Sequence, residues 1–163
     1  MDYQIVKTDS KSNFASIKEL YYKTWTYSYI GLIPQGYLDN LNKDVWHPEK
    51  RVNNTLIAVT KDDQKIIGVV SFGPARRHKY AGYGEIYSLY VLPEYQHQGV
   101  GKKLFHAALN SLEQNFEQIY LIVLKDNLIA QAFYEMFGFE GTLDLLAEQT
   151  PYGIIHEIVF VKN

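Results

Sequence analysis

The chain has 163 residues, 47% of them apolar and 21% charged, and carries a net charge of -2. This is enough for one domain over residues 1–163 with a substantial core, and so small a charge offers no general attraction to nucleic acid or anionic membranes. The absence of cysteine excludes disulfides, thiolate metal ligands and cysteine nucleophiles; with neither an apolar run of roughly 18 residues nor a signal-like start, a cytoplasmic location is expected.

Tyr3 to Val6 reads as a short first strand. Asp9 and Ser10 offer N-caps to a helix in which Phe14, Ile17, Leu20 or Tyr21, and Trp25 recur at helical intervals. That helix should end near Tyr29, because Gly31 follows and Pro34 can open a second, short helix over residues 34–41. Thr55 to Thr60 and Lys65 to Phe72 read as strands joined in an antiparallel hairpin through Lys61-Asp62-Asp63-Gln64. Glycine, proline and charge mark residues 73–82 as a loop, whose Arg76, Arg77 and Lys79 either meet an acidic acceptor or form a solvated hairpin tip.

Glu85 to Val91 is aromatic and β-branched, as a strand requires, and Pro93 stops it because proline cannot donate to a ladder. From Val100, the apolar residues Leu104, Ala108 and Leu112 fall at helical spacing. Gln118 to Leu124 is nearly continuously apolar, as suits a buried central strand. Asp126 or Asn127 caps a further helix, with Ile129, Phe133, Met136 and Phe137 as its apolar face and Gly138 as its end. Phe139 to Leu145 and Gly153 to Val161 read as closing strands around a loop near Gln149 and Pro151. The order β-α-α-β-β-β-α-β-α-β-β predicts the α/β class, with a mixed, mostly antiparallel sheet of about seven strands flanked by helices.

The turn Gln96-His97-Gln98-Gly99-Val100-Gly101 joins a strand to a helix. A helix start has unpaired N–H groups and a partial positive charge, and glycines there let the backbone approach an anion closely. The nucleoside-triphosphatase loop fails, since its first glycine would fall on Gln96 and its Ser/Thr on Lys103; the dinucleotide fingerprint fails at Leu104.

The pattern [Q/R]-x-x-G-x-[G/A] directly after a strand does fit, and here the chain resembles the GCN5-related N-acetyltransferase (GNAT) family. Two further stretches carry the resemblance. Asn127 to Phe139 resembles the family's N-x-x-A-x-x-F-Y-x-x-x-G-F signature, with Ala130 in the small-residue position. Trp25 to Leu38 resembles one branch's run of Trp, Tyr, Gly and Pro before a short helix. The resemblance implies the acyl-CoA N-acyltransferase fold, acetyl-CoA as co-substrate, and an amine acceptor on a small molecule or a peptide.

It also implies roles. Gln96, His97, Gln98, Gly99, Val100, Gly101 and Lys102 would bind the pyrophosphate. Leu89, Tyr90 and Val91 would pair with the pantetheine arm, one N–H acting as an oxyanion donor. Asn127 would contact the pantetheine amide, and Tyr134 would hydrogen-bond the departing thiolate. Trp25 and Tyr29 would line the acceptor groove. An amine with a pKa of about 10.4 needs help to lose its proton, and Glu85 matches the catalytic glutamate of histone-acetylating members. Glu85 would serve there as base or hold a water for that purpose; otherwise it forms a surface ion pair with Arg76 or Arg77. Dimers are common in the family. The rival readings are transfer of a longer acyl group, modification of a protein amine, or a domain that binds coenzyme A or a partner without turnover. The five histidines lack metal-site spacing and G-x-S-x-G is absent, so neither a metal site nor that serine hydrolase motif is expected.

Overall fold

The computed structural model describes all residues 1–163. The elements are β1 (Tyr3–Lys7), α1 (Phe14–Ser28), α2 (Gln35–Asp39), β2 (Thr55–Thr60), β3 (Ile66–Pro74), β4 (Gly84–Val91), α3 (Val100–Glu113), β5 (Ile119–Leu124), α4 (Leu128–Met136), β6 (Glu140–Thr150) and β7 (Gly153–Lys162). All seven strands join one sheet in the order β1-β2-β3-β4-β5-β7-β6. Only β4 and β5 run parallel; the other neighbours are antiparallel. No helix is long and apolar enough to cross a membrane.

Alternation along the strands assigns the two faces. On β3, Gly68 lies against Val100 and Leu104 of α3, and on β4, Gly84 lies against Leu112 and Phe116. The opposite face carries Tyr90, whose ring meets Tyr21 of α1 at 5.3 Å. The sheet is therefore a middle layer, with α3 on one side and α1 on the other. Ile17, Leu20, Val69, Val70, Leu104 and Phe105 are among the fully buried residues that hold these layers together.

One irregularity in the sheet matters most. Tyr87 is an extra residue on β4, between the pairs Ser71–Ser88 and Phe72–Ile86. A bulge of this kind bends the strand that bears it. β4 is paired with β5 only over Gly84, Glu85 and Ile86. From Tyr87 onward the two strands part, and the edge of β4 that faces β5 has no ladder partner.

Several local expectations shift. The cap of α1 is Asn13, whose Oδ1 accepts the Ser16 N–H at 3.0 Å, because Asp9 is occupied in its own turn with Lys11 and Ser12. Pro34 is the residue before α2 rather than its first residue. β3 continues through Gly73 and Pro74, since both still pair with β4. The closing strands nearly meet, separated only by Pro151 and Tyr152, so the loop expected near Gln149 and Pro151 is a tight hairpin turn.

The apolar face assigned to α4 is corrected: Ile129 is 82% exposed and Met136 65% exposed. The residues that pack are Ala130, Phe133, Tyr134 and Phe137. The sequence LIAQAFYEM is apolar around most of its circumference, so periodicity alone does not select the stripe that faces the sheet.

Candidate active site

The loop after β4 is arranged as an anion cradle. Gln96 turns back so that Nε2 donates to the Val91 carbonyl at 3.0 Å, closing the end of the strand. His97 (φ 62°) and Gly99 (φ 85°) adopt the left-handed conformation. The first backbone N–H after Gln96 to find a protein acceptor is that of Lys103, which reaches the Gly99 carbonyl at 3.1 Å. The N–H groups of His97, Gln98, Gly99, Val100, Gly101 and Lys102 are left for a ligand. A helix N-terminus offering successive free donors suits phosphate oxygens. A Cβ on Gly101 would meet only Val91, at 3.5 Å, so the fold does not crowd that position. Lys102 and Lys103 are exposed, with Lys103 placed over the Tyr3 ring.

Next to this loop lies the free edge of Leu89, Tyr90 and Val91, held on its other side by Val70, Val69 and Gly68. An extended ligand arm can add there as a strand would. Across the opening stands α4. The Asn127 Oδ1 caps it by accepting from Ala130 N–H at 3.1 Å, while Nδ2 has no protein partner. The Tyr134 ring is wedged among Phe105, Phe133 and Phe139 on the α3 side.

Burial pushes the pKa of Tyr134 far above that of an ordinary phenol, and Tyr90 adds to the shift. Tyr29 is likewise raised by burial, then by Tyr90, Tyr134 and Glu157. Tyr90 is raised by burial too, with Trp25 and Tyr29 beside its hydroxyl opposing the shift. Tyr29 at the C-terminal end of α1, Tyr90 of β4 and Tyr134 of α4 are thus electrostatic neighbours. All stay protonated at neutral pH and can donate hydrogen bonds.

The wall over this point is aromatic. Trp25 packs edge-on to Tyr29 at 4.9 Å and to Trp46 at 5.8 Å, with Tyr37 of α2 at 6.4 Å. Trp25 Nε1 and Ser88 Oγ are buried without a hydrogen-bond partner in the protein. Trp25 and Tyr29 therefore stand together, as the sequence leads one to expect.

Glu85 makes the ion pair with Arg76 that the alternative reading expects, but makes it buried. It is 1% exposed rather than at the surface, and it is ringed by donors. Oε1 accepts the Arg76 backbone N–H at 2.9 Å and the Tyr120 hydroxyl at 2.5 Å. Oε2 accepts Arg76 Nε at 3.2 Å and Nη2 at 2.7 Å. A carboxylate has about four acceptor positions, and all are taken. The basic cluster is tied down as well. Arg76 stacks over Tyr87, Lys79 pairs with Asp144 at 3.0 Å, and the Arg77 N–H donates to the Tyr120 hydroxyl.

Three contributors escape the sequence reading. Tyr90 enters through its side chain as well as its backbone, Tyr120 holds Glu85, and Glu157 faces Tyr29. For Glu157 a signal was present: it is a lone carboxylate at an inward position of an apolar strand, between Ile155 and Val159.

Comparison with known proteins gives the family and the fold. The acetyltransferase (GNAT) family profile matches residues 14–139, and the chain belongs to that family. An uncharacterized N-acetyltransferase, YuaI, of Bacillus subtilis is 27% identical over 125 residues, covering 75% of this chain and 72% of its own. A spermidine N(1)-acetyltransferase of Thermoplasma acidophilum is 23% identical, covering 80% of this chain and 84% of its own. Among solved structures, the PaiA N-acetyltransferase of Thermoplasma acidophilum in complex with coenzyme A superposes with a TM-score of 0.76. It has 20% identity and covers 100% of this chain and 99% of its own. The protein is an acetyl-CoA-dependent N-acetyltransferase with the acyl-CoA N-acyltransferase fold.

Proposed function

We propose that the enzyme acetylates a primary amine of a small molecule by direct attack on acetyl-CoA in a ternary complex. The observation that carries this reading is the loop of six N–H donors without a protein acceptor, beside the unpaired edge where β4 parts from β5. Bound acetyl-CoA supplies an activated acetyl group and a thiolate leaving group.

The loop from Gln96 to Lys102 holds the pyrophosphate, and Asn127 Nδ2 reaches the pantetheine amide. The open edge at Leu89 to Val91 aligns the arm and provides an N–H to the carbonyl oxygen as charge develops. Tyr134 donates a hydrogen bond to the leaving sulfur; its raised pKa makes it a donor rather than a full acid. With no cysteine in the chain, no cysteine acyl-enzyme can form. A small acceptor is favoured by the aromatic wall of Trp25, Tyr29 and Tyr37, and by the name of the spermidine-acetylating relative.

Melting curves with acetyl-CoA, followed by thiol release from an amine panel, test the proposal. Ligand at 100 times Kd stabilises by about 2.7 kcal/mol, or roughly 5–10 °C for a chain of this size. An unchanged curve at millimolar acetyl-CoA would sink it.

A further inference from the structure

We propose that Glu157, on the acceptor side of the parted sheet, holds the ammonium of the acceptor and takes its proton. This rests on the acetyl-transfer reading and fills the role of base, for which Glu85 has no acceptor position left. Register places the residue. Leu124, the last residue of β5, pairs with Glu157, and Leu146 of β6 pairs with it from the other side. Leu124 packs with Ile33, Leu38 and Ile155, and against Trp25, Tyr29 and Tyr37, so this face of the hairpin looks onto α1 and α2. Paired residues in a sheet share a face. Glu157 therefore projects into the aromatic groove, at the end of β5 that has separated from β4.

Its surroundings suit a proton acceptor. Tyr29, packed against the cluster of Leu124 and Ile155 on this face, feels the charge of Glu157. Glu148 faces it from β6, Arg77 from the connection between β3 and β4, and Leu124 on β5 brings no charge. Half-burial and the Glu148 charge raise its pKa, while Arg77 opposes them. A carboxylate more basic than usual is suited to collecting a proton from an ammonium. Glu157 also has no hydrogen-bond or ion-pair partner in the protein, in contrast to Glu85.

The proton count closes. The ammonium gives one proton to the Glu157 carboxylate, and the neutral nitrogen forms the N–C bond as the C–S bond breaks. The second proton lost from nitrogen ends on the thiolate. Glu157 then releases its proton to water.

The test measures thiol release between pH 5 and 9 with spermidine, 2-phenylethylamine and a tetrapeptide bearing a free N-terminus. Calorimetric acetyl-CoA affinity is measured in parallel. Glu157→Gln should lower kcat at least 100-fold, abolish the acidic limb of the profile and leave acetyl-CoA affinity within about 3-fold. Glu157→His should restore a limb near the imidazole value of about 6.5, and Glu148→Gln should move the wild-type limb to lower pH. A Glu157→Gln enzyme that keeps its acidic limb, or a wild type that binds acetyl-CoA but uses none of the three amines, overturns the assignment. Failure of the wild type to bind acetyl-CoA would instead take down the acetyl-transfer reading itself.

Discussion

Arg76 grips Glu85 from two directions, with its backbone N–H on Oε1 at 2.9 Å and its guanidinium Nη2 on Oε2 at 2.7 Å. The arginine is 45% exposed and its partner 1% exposed, so the carboxylate is the member that depends on the pair. Arg76→Ala removes two of four donors from a buried charge and should cost about 3 kcal/mol in urea unfolding. The double variant Arg76→Ala/Glu85→Gln should recover part of that loss, because no bare charge remains. Equal stability for the single and double variants would show that water replaces the guanidinium.

The two loop glycines should behave differently on substitution. Gly99 has φ 85°, and a side chain there incurs the left-handed penalty of about 1–2 kcal/mol although no atom lies within 4 Å. Gly101 lies in the first turn of α3 with only an ordinary contact to Val91. Gly99→Ala should therefore lower both stability and acetyl-CoA affinity. Gly101→Ala should leave stability within about 0.5 kcal/mol, the usual range away from special backbone sites. Thermal unfolding together with calorimetry separates the two effects.

What the sequence revealed was the local chemistry. Gly99 before a helix and Gly138 as a stop act through their own backbone, Asn127 as a cap through a side chain that reaches only three residues on, and all three stand where expected. The environment of Glu85 depends on Tyr120, 35 residues away, and on a β3–β4 connection folded over the sheet. Spacing carries no record of such a contact. Glu157 stands out in the sequence as a lone carboxylate in an apolar strand, but that it faces Tyr29 depends on the order in which β5, β7 and β6 assemble. On α4, Ile129 and Tyr134 are both compatible with an inward stripe, and only the position of Phe105 chooses between them.

Asp144 ties the β3–β4 connection to the edge strand β6. Its carboxylate accepts from the Tyr80 hydroxyl at 2.6 Å and pairs with Lys79 at 3.0 Å, and these partners, Tyr80 first, hold its pKa below the usual carboxylate value. A depressed folded pKa contributes stability above the unfolded value of about 3.9 and loses it as pH falls through the folded value. Asp144→Asn should thus lower Tm by about 1–3 °C at pH 7, as a partly exposed pair allows. The gap from wild type should close below about pH 4. A gap independent of pH would mean that the hydrogen-bonding geometry of the substituted amide, rather than the lost charge, sets the difference.

Tyr134 packs its ring into the aromatic core between α3 and α4, and the proposed mechanism gives its hydroxyl the leaving sulfur. Its ring contacts Phe105 at 5.4 Å, so Tyr134→Phe keeps the packing and removes only the hydroxyl. A group that acts by donating to a developing thiolate does so in the transition state, where its loss lowers kcat without weakening the ground-state complex. The variant should lose about 100-fold in kcat, the low end for a positioned proton donor, with acetyl-CoA affinity within about 3-fold. Because the leaving thiol has a pKa of about 8.5, acyl donors with more acidic thiols should narrow the gap between variant and wild type. Equal losses in kcat and in acetyl-CoA binding would instead assign the hydroxyl to positioning the co-substrate. Steady-state kinetics with two thioesters, alongside calorimetry, distinguishes these outcomes.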